Sequence, residues 1–163
     1  MTSAATNSER TSALNLFEHS SLSDIHGLDI SRIEELIQGF GYTCKPQSKL
    51  RGLSGNLHDF DFVCVKIDTG EKLILDSLLN QNGNEDALEV AMVKLRLKTY
   101  DCSPDSSIVV TAPISPALRE MASLYRISLI EASEENGPYE QLESLLRQRE
   151  SDTSRKSPLS DLV

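Results

Sequence analysis

Apolar spacing predicts that the chain first orders as a helix followed by an edge strand. Four apolar residues fall on one helical face at the i, i+3, i+4 and i+7 positions: Ile33, Leu36, Ile37 and Phe40. Asp29 or Ser31 provides an N-cap, and Gly39 and Gly41 end the helix. The weaker strand over residues 42–53 contains Pro46, so we expect an edge strand or a bent one.

The next two strands are predicted to form a hairpin. Residues 57–67 and 72–79 are rich in β-branched, aromatic and leucine residues, and the turn-forming segment 68–71 joins them. The continuous apolar run over residues 106–112 is typical of a buried central strand. A last short strand follows at residues 127–131.

Three further helices accompany these strands. The helix over residues 85–100 has a wide apolar surface, which predicts packing against a sheet: Leu88, Val90, Ala91, Met92, Val93, Leu95 and Leu97. Ser115 as cap and Pro116 in the first turn predict the second helix. The amphipathic third helix, over residues 138–148, is expected to pack on the core, with a dimer contact as the alternative.

The predicted order, α-β-β-β-α-β-α-β, indicates an α/β fold with a mixed sheet flanked by helices. We expect a disordered Ser/Thr-rich arm over residues 1–27 and one domain over residues 28–132. A C-terminal amphipathic helix over residues 133–150 and a disordered tail over residues 151–163 complete the organisation.

Composition limits the classes of function. The chain has 163 residues, and 16 Lys+Arg against 25 Asp+Glu give a formal net charge of −9, so charge alone does not favour tight DNA binding. No apolar run reaches the roughly 18 residues of a membrane span, and no secretory signal is recognised. Three widely spaced cysteines argue against a disulfide scaffold or a zinc knuckle and favour the cytoplasm: Cys44, Cys64 and Cys102.

Two segments carry a resemblance to a known superfamily. The segment 52–61, Gly-Leu-Ser-Gly-Asn-Leu-His-Asp-Phe-Asp, resembles a glycine-rich approach to a metal-binding aspartate on the second strand. The segment 108–131 resembles the back half of Mrr-type domains, in which a strand, a helix and a short strand end in an acidic residue. With the element order, the chain resembles the restriction endonuclease-like, or PD-(D/E)XK, superfamily and its uncharacterised archaeal members.

The resemblance implies a Mg²⁺- or Mn²⁺-dependent nuclease. Asp61 matches the first metal-binding acid, and Asp76 is the only acid on the third strand. Two residues after it, the superfamily's lysine is replaced by Leu78. Lys98, on the following helix, is the best candidate to replace that lysine, with Glu89 and Lys94 as second choices.

Both carboxylates also have structural explanations. Asp61 falls on a strand face with Val63, and Asp76 shares one with Ile74 and Leu78, so each places an acid among apolar positions. A metal ion is one reason for this arrangement. The alternative explanation is structural: Asp61 lies at the exposed start of its strand, and Asp76 pairs with a Lys or Arg.

Four more residues are candidate nucleic-acid contacts: Ser54, Gly55, His58 and Lys94. The Ser-Gly pair would approach a phosphate through backbone N–H groups, although glycine in a bend is the commoner cause. His58 with Asp59 is a general-base pair or a surface dipeptide, and His58 shares a strand face with Phe60 and Phe62. Lys94 shares a helix face with Lys98, where simple solvation is the usual explanation.

Two functions remain open at this point. The first is a nuclease in which Asp61 and Asp76 bind the metal and Lys98 acts in catalysis. The second is a catalytically inactive module that binds nucleic acid or a protein partner in a regulatory role; a homodimer is included. The missing strand lysine and the acidic charge favour the second function, and the two carboxylates favour the first.

Overall fold

The computed structural model describes residues 24–81 and 84–155. Its strands are β1 Asp24–Ile25, β2 Leu28–Asp29, β3 Tyr42–Arg51, β4 Leu57–Lys66, β5 Lys72–Ser77, β6 Ser106–Thr111 and β7 Ser128–Glu131. Its helices are α1 Ile30–Gln38, α2 Glu85–Cys102, α3 Pro116–Leu124 and α4 Pro138–Arg155, with a 3₁₀ turn at Leu79–Gln81.

A five-stranded mixed sheet organises the molecule in the order β3-β4-β5-β6-β7. The strands β3, β4 and β5 pair antiparallel, whereas β5, β6 and β7 pair parallel. The helices α2 and α3 form the two crossovers that parallel pairing requires. The predicted α/β class and the predicted main-element order are therefore confirmed.

Two apolar layers lie on opposite faces of the sheet. The larger layer unites α1, α4 and the β1–β2 hairpin with residues such as Phe62, Leu75 and Ile108. The smaller layer packs α2 and α3 on residues such as Ile74 and Val109. Each helix thus buries an apolar stripe against the sheet, which is the main stabilising term of such a three-layer fold.

The outer side of α2 departs from the prediction. Its inner face buries Leu88, Met92 and Leu95, as the apolar pattern predicts. Val90 and Leu97, however, are 54% and 65% exposed, so the prediction that they pack on the sheet is wrong. A helix can present only one side to a sheet, and these residues lie on the other side.

Several element boundaries differ from the predicted ones. The described chain starts at Asp24, and Ile25 is buried, so the hairpin at residues 24–29 includes the last residues of the predicted arm. Helix α4 continues to Arg155, beyond the predicted end at residue 148. The remaining predicted arm, residues 1–23, and the tail residues 156–163 lie outside the described residues.

The core role predicted for helix α4 holds. Leu142 and Leu146 are buried against α1 and the larger apolar layer, so this side of α4 is occupied within the chain. Within residues 24–81 and 84–155, none of the helices combines the length and the apolar character needed to traverse a bilayer.

Candidate active site

Asp61 and Asp76 meet where β4 and β5 separate. The last paired positions of these strands are Phe62 and Leu75, and the two aspartates follow immediately beyond them. The backbone N–H of Asp61 donates to Asp76 Oδ1 at 2.7 Å, and the N–H of Ser77 donates to Asp61 Oδ2 at 2.8 Å. The carboxylates therefore accept backbone hydrogen bonds at the point where the strand ladder stops.

A distortion in the neighbouring strand accompanies this separation. Pro46 pairs with Phe62 and Ser48 pairs with Phe60, but Gln47 between them has a left-handed φ of 45°. Such a φ is costly for a residue with a side chain and disturbs the regular pleat.

The pleat changes face at Asp61. Phe60 packs in the smaller apolar layer with α2, and Phe62 packs in the larger layer on the other side. The prediction that these two rings share a strand face is therefore wrong. Side chains on a regular strand alternate between its two faces, and this alternation is interrupted at Asp61.

Lys98 reaches both strands from α2. Its Nζ donates to Asp76 Oδ2 at 3.2 Å and to the backbone oxygen of Asp59 at 2.7 Å. The amine also lies 4.6 Å from the centre of the Phe60 ring. The helix lysine selected from the sequence thus lies beside the strand carboxylate.

Asp76 is the most deeply placed charge of the group. Burial raises its pKa, although the Lys98 amine and the N–H of Asp61 act in the opposite direction. Asp76 is 8% exposed, and Lys98 is the basic side chain that pairs with it. A buried carboxylate with a single cationic partner is costly to fold, which is common at functional sites.

His26 joins the site from the β1–β2 hairpin. Its Nδ1 lies 3.1 Å from Asp61 Oδ1 and 3.2 Å from Oδ2. Because an ionised carboxylate only accepts, Nδ1 carries the proton in this contact. The backbone oxygen of His26 accepts from Ser77 Oγ at 2.7 Å, which ties the hairpin to the end of β5.

Sequence reasoning missed His26 and Ser77. His26 and Gly27 have φ values of 46° and 86° and form a two-residue turn of the kind that joins tight hairpins. The signal was a His-Gly pair between the apolar residues Ile25 and Leu28. It was weak because histidine is not a preferred residue at the first turn position.

These groups line one open pocket of about 400 Å³. Its walls come from the hairpin, β3, β4, β5, the 3₁₀ turn and α2: His26, Gln47, Asp59, Phe60, Asp61, Asp76, Ser77, Leu78, Asn80, Gln81 and Lys98. The three candidate catalytic residues of the sequence therefore face a common space. Asp76 lies at the carboxyl end of β5, where open α/β sheets commonly bind ligands.

The glycine-rich segment forms a different contact from the predicted one. Ser54 donates to Asp101 through its N–H at 2.8 Å and through its hydroxyl at 2.6 Å, while His58 Nε2 lies 2.7 Å from the same carboxylate. Hydrogen bonds from Ser54 and His58 lower the pKa of Asp101 to about 2. The segment is thereby fastened to the end of α2.

The backbone N–H groups proposed to approach a phosphate have partners within the protein. The N–H of Ser54 donates to Asp101, and the N–H of Gly55 donates to the Gly52 oxygen at 3.0 Å. Ser54, Gly55 and His58 do not line the pocket of Asp61 and Asp76. A contact of these three residues with a phosphate stays a prediction. The internal hydrogen bonds do not favour it, because they occupy the N–H groups that would bind the phosphate.

Lys94 lies one turn before Lys98 but has a different environment. It is exposed and does not line the pocket, whereas the Lys98 side chain is only 28% exposed. The two lysines predicted to share a helix face therefore differ in environment: Lys94 is solvated, and Lys98 lines the pocket. A nucleic-acid contact by Lys94 stays a prediction.

No protein-family model matches the chain, and no curated protein matches it. Among solved structures, the chain is similar to the crystal structure of a protein of unknown function, AF1548, with a TM-score of 0.48 and 15% sequence identity. The match covers 72% of this chain and 63% of that one, so the chain spans less than two thirds of AF1548.

Proposed function

We propose that the protein is a metal-dependent nuclease that hydrolyses DNA phosphodiester bonds. Asp61, Asp76 and Lys98 would be its catalytic residues. The observation that carries the proposal is their convergence: two strand carboxylates and a helix lysine, each from a different element, share one pocket. The cytoplasm is the proposed location, in line with three free cysteines in the chain.

The donor chemistry fits Mg²⁺ or Mn²⁺. Asp61 and Asp76 offer carboxylate oxygens, and Mg²⁺ sites commonly combine one or two carboxylates with water and substrate phosphate. Within the residues described, no group of three or more His, Cys, Asp and Glu side chains is placed to hold a metal ion. Two carboxylates beside an open pocket therefore suit a hard cation that keeps water ligands better than a structural zinc.

The fixed backbone contacts would keep both carboxylates in place. Each aspartate accepts one backbone N–H. In the described part of the chain, Asp61 Oδ1 and both oxygens of Asp76 each have one partner, so each has a second lone pair for another ligand. When bound there, the cation would lower the pKa of water and offset negative charge on the phosphate. Asp61 and Asp76 would hold it without moving, which keeps the cost of organising the site low.

Lys98 would contact the phosphate. The contacts seen in the described part of the chain use two of its three N–H donors, one on Asp76 and one on the Asp59 backbone oxygen. The third would remain for a phosphate oxygen or a water. Because the amine is fixed at two points, little side-chain entropy would be lost when substrate binds.

A specific observation also favours the second function, an inactive binding module. His26 contacts both oxygens of Asp61, and Lys98 and the N–H of Asp61 occupy the two oxygens of Asp76. All four carboxylate oxygens thus have protein partners, and Leu78 stands where the superfamily lysine is expected. Such a site would be occupied by contacts within the protein and would not turn over a substrate.

Hydrolysis of labelled single-stranded and duplex DNA in Mg²⁺ or Mn²⁺ separates the two functions. We expect metal-dependent cleavage that falls by about a hundredfold or more in Asp76→Asn and in Lys98→Gln, because each removes a charge at the reacting phosphate. Lys45→Gln, an exposed lysine on β3, should cleave like the wild type. Purified wild type that leaves every substrate intact in both metals would favour the inactive module.

A further inference from the structure

Two of the three cysteines lie directly opposite each other on neighbouring strands. Cys44 on β3 pairs in register with Cys64 on β4, and both are free thiols. Both side chains belong to the larger apolar layer, in which Cys64 is buried and Cys44 is partly exposed. The antiparallel register therefore brings together two cysteines that are distant in the sequence.

The hydrogen bonds of the two strands identify the kind of pair that the cysteines form. The N–H of Ile67 donates to the Gly41 oxygen at 2.9 Å, in the same register as the ladder of β3 and β4. Antiparallel positions alternate between hydrogen-bonded and non-hydrogen-bonded pairs, so Cys44 and Cys64, three positions along, form a non-hydrogen-bonded pair. The N–H of Lys66, which donates on the β5 side instead of the β3 side, agrees with this alternation.

A non-hydrogen-bonded pair has the spacing that a disulfide requires. The Cα atoms of such a pair are about 4.5 Å apart, and those of a disulfide are usually roughly 4.4–6.8 Å apart. In the described sheet, β3 is the edge strand, so the small approach of the two Cβ atoms disturbs the pairing with one neighbouring strand only. The two sulfur atoms can therefore be joined without a rearrangement of the sheet.

We propose that Cys44 and Cys64 form an oxidation site, at which a small disulfide oxidant converts the two thiols to a cross-strand disulfide. The Cys44 thiolate attacks one sulfur of the oxidant, which breaks the S–S bond of the oxidant, forms a mixed disulfide and releases one thiolate. The Cys64 sulfur then attacks the Cys44 sulfur, and the second departing thiolate takes up the Cys64 proton. Two protein thiols are oxidised, and one molecule of oxidant is reduced to two thiols.

The order of the two steps follows from exposure. Cys44 is partly exposed, whereas Cys64 is 0% exposed and is not accessible to an oxidant in solvent. The hydrogen bond with the Cys44 thiol and burial raise the pKa of Cys64, so Cys64 remains a neutral thiol before the first step. In a reducing compartment, a disulfide formed in this way is transient and responds to the level of oxidant.

The third cysteine provides an internal reference. Cys102 packs with the smaller apolar layer, so the sheet lies between it and the other two cysteines. Neither Cys44 nor Cys64 lines the pocket of Asp61 and Asp76, so the oxidation site is independent of the proposed nuclease function.

Equilibration of the folded full chain with oxidised and reduced glutathione tests the proposal. Free thiols are counted after denaturation, and the mass of the intact protein is measured. We expect the loss of two of the three thiols, a mass lower by two hydrogen atoms, and a peptide that links Cys44 to Cys64. Three remaining thiols in excess oxidised glutathione, a stable glutathione adduct on Cys44, or a disulfide that includes Cys102 would overturn the proposal.

Three variants test the order of the two steps. Cys102→Ser is the matched control and should lose both of its remaining thiols. Cys64→Ala should stop at a glutathione adduct on Cys44, and Cys44→Ser should keep the buried Cys64 thiol free. Faster modification of Cys64 in Cys44→Ser than of Cys44 in Cys64→Ala would contradict the assigned order.

The same titration in urea tests whether the fold creates the site. The folded wild type should form the disulfide at a glutathione redox ratio at least about tenfold less oxidising than the unfolded chain requires, because the register holds the two sulfur atoms close together. The unfolded chain should give all three possible cysteine pairings. An equal redox ratio in both states would show that the strand pairing does not promote the disulfide, and would overturn the proposal.

Discussion

Asp76 is a buried carboxyl group in the candidate site, and its burial has a consequence for the stability of the fold. Its carboxylate is buried beside Asp61, and burial raises its pKa. When the pKa of a carboxyl group is higher in the folded protein than in the unfolded chain, the free energy of unfolding falls as the pH rises and the group ionises. A polar but neutral residue of the same shape would avoid that cost, which is a frequent relation between function and stability.

We predict that Asp76→Asn unfolds at a higher temperature than the wild type at pH 7. Below the ordinary aspartate pKa of 3.8, the carboxyl is protonated in both folded and unfolded chains, so the difference should disappear there. The stability difference between Asp76→Asn and the wild type should grow as the pH rises from 3.8 through the raised pKa of Asp76 in the folded protein. Thermal unfolding followed by circular dichroism between pH 3 and pH 8 measures this dependence.

The matched control for this experiment is Asp68→Asn, an exposed aspartate in the turn before β5. Its free energy of unfolding should stay within about 0.5 kcal/mol of the wild-type value. An Asp76→Asn protein that is less stable at pH 7 would show that the Lys98 contact outweighs the burial of the carboxylate.

At the level of elements, the end of α2 is joined to the glycine-rich segment between β3 and β4. Asp101 accepts from Ser54 and His58, and the backbone oxygen of Asp101 accepts the N–H of Leu53. Gly52 approaches this carboxylate so closely that an added Cβ would lie 1.9 Å from Asp101 Oδ2. A side chain at residue 52 would therefore displace the Asp101 carboxylate from its hydrogen-bonded position.

We predict that Gly52→Ala destabilises the fold by about 1–3 kcal/mol, the usual cost of overpacking. If the cause is the contact with the Asp101 carboxylate, the same substitution in an Asp101→Ala background should cost much less. Urea unfolding of the two single variants and the double variant measures this coupling. If the stability costs of Gly52→Ala and Asp101→Ala simply add in the double variant, the destabilisation by Gly52→Ala does not arise from contact with the Asp101 carboxylate.

The sequence predicts the elements well because their local patterns are strong. Ser115 and Pro116 begin a helix as expected, with Ser115 accepting the N–H of Leu118, and the run ending at Thr111 is a buried strand. The apolar pattern wrongly predicts that Val90, Val93 and Leu97 pack on the sheet. An apolar residue on a helix does not by itself indicate which side of the helix meets the sheet.

The site is predictable only in part. Asp61 and Asp76 stand out as acids at apolar strand positions, and Lys98 follows from a missing strand lysine. His26 does not, because its contact with Asp61 spans 35 residues and depends on how a two-residue turn folds onto β5. The change of strand face at Asp61 lies opposite the left-handed Gln47, and no local sequence pattern predicts either feature.

For the molecule as a whole, the site depends on the complete architecture. The hairpin, β4, β5 and α2 each contribute one of the four titratable groups His26, Asp61, Asp76 and Lys98. The formal net charge of −9 gives no general attraction to phosphate, so binding of a nucleic acid would rest on local cations at this pocket. A divalent ion held by the two carboxylates is therefore central to the proposed function.

Calorimetric titration of Mn²⁺ into the metal-free full chain tests this claim most directly. We predict saturable binding by the wild type, binding at least about tenfold weaker in Asp61→Asn, and unchanged binding in Asp68→Asn. Absence of binding by the wild type at millimolar Mn²⁺, or equal affinity in Asp61→Asn, would contradict a metal site formed by Asp61 and Asp76.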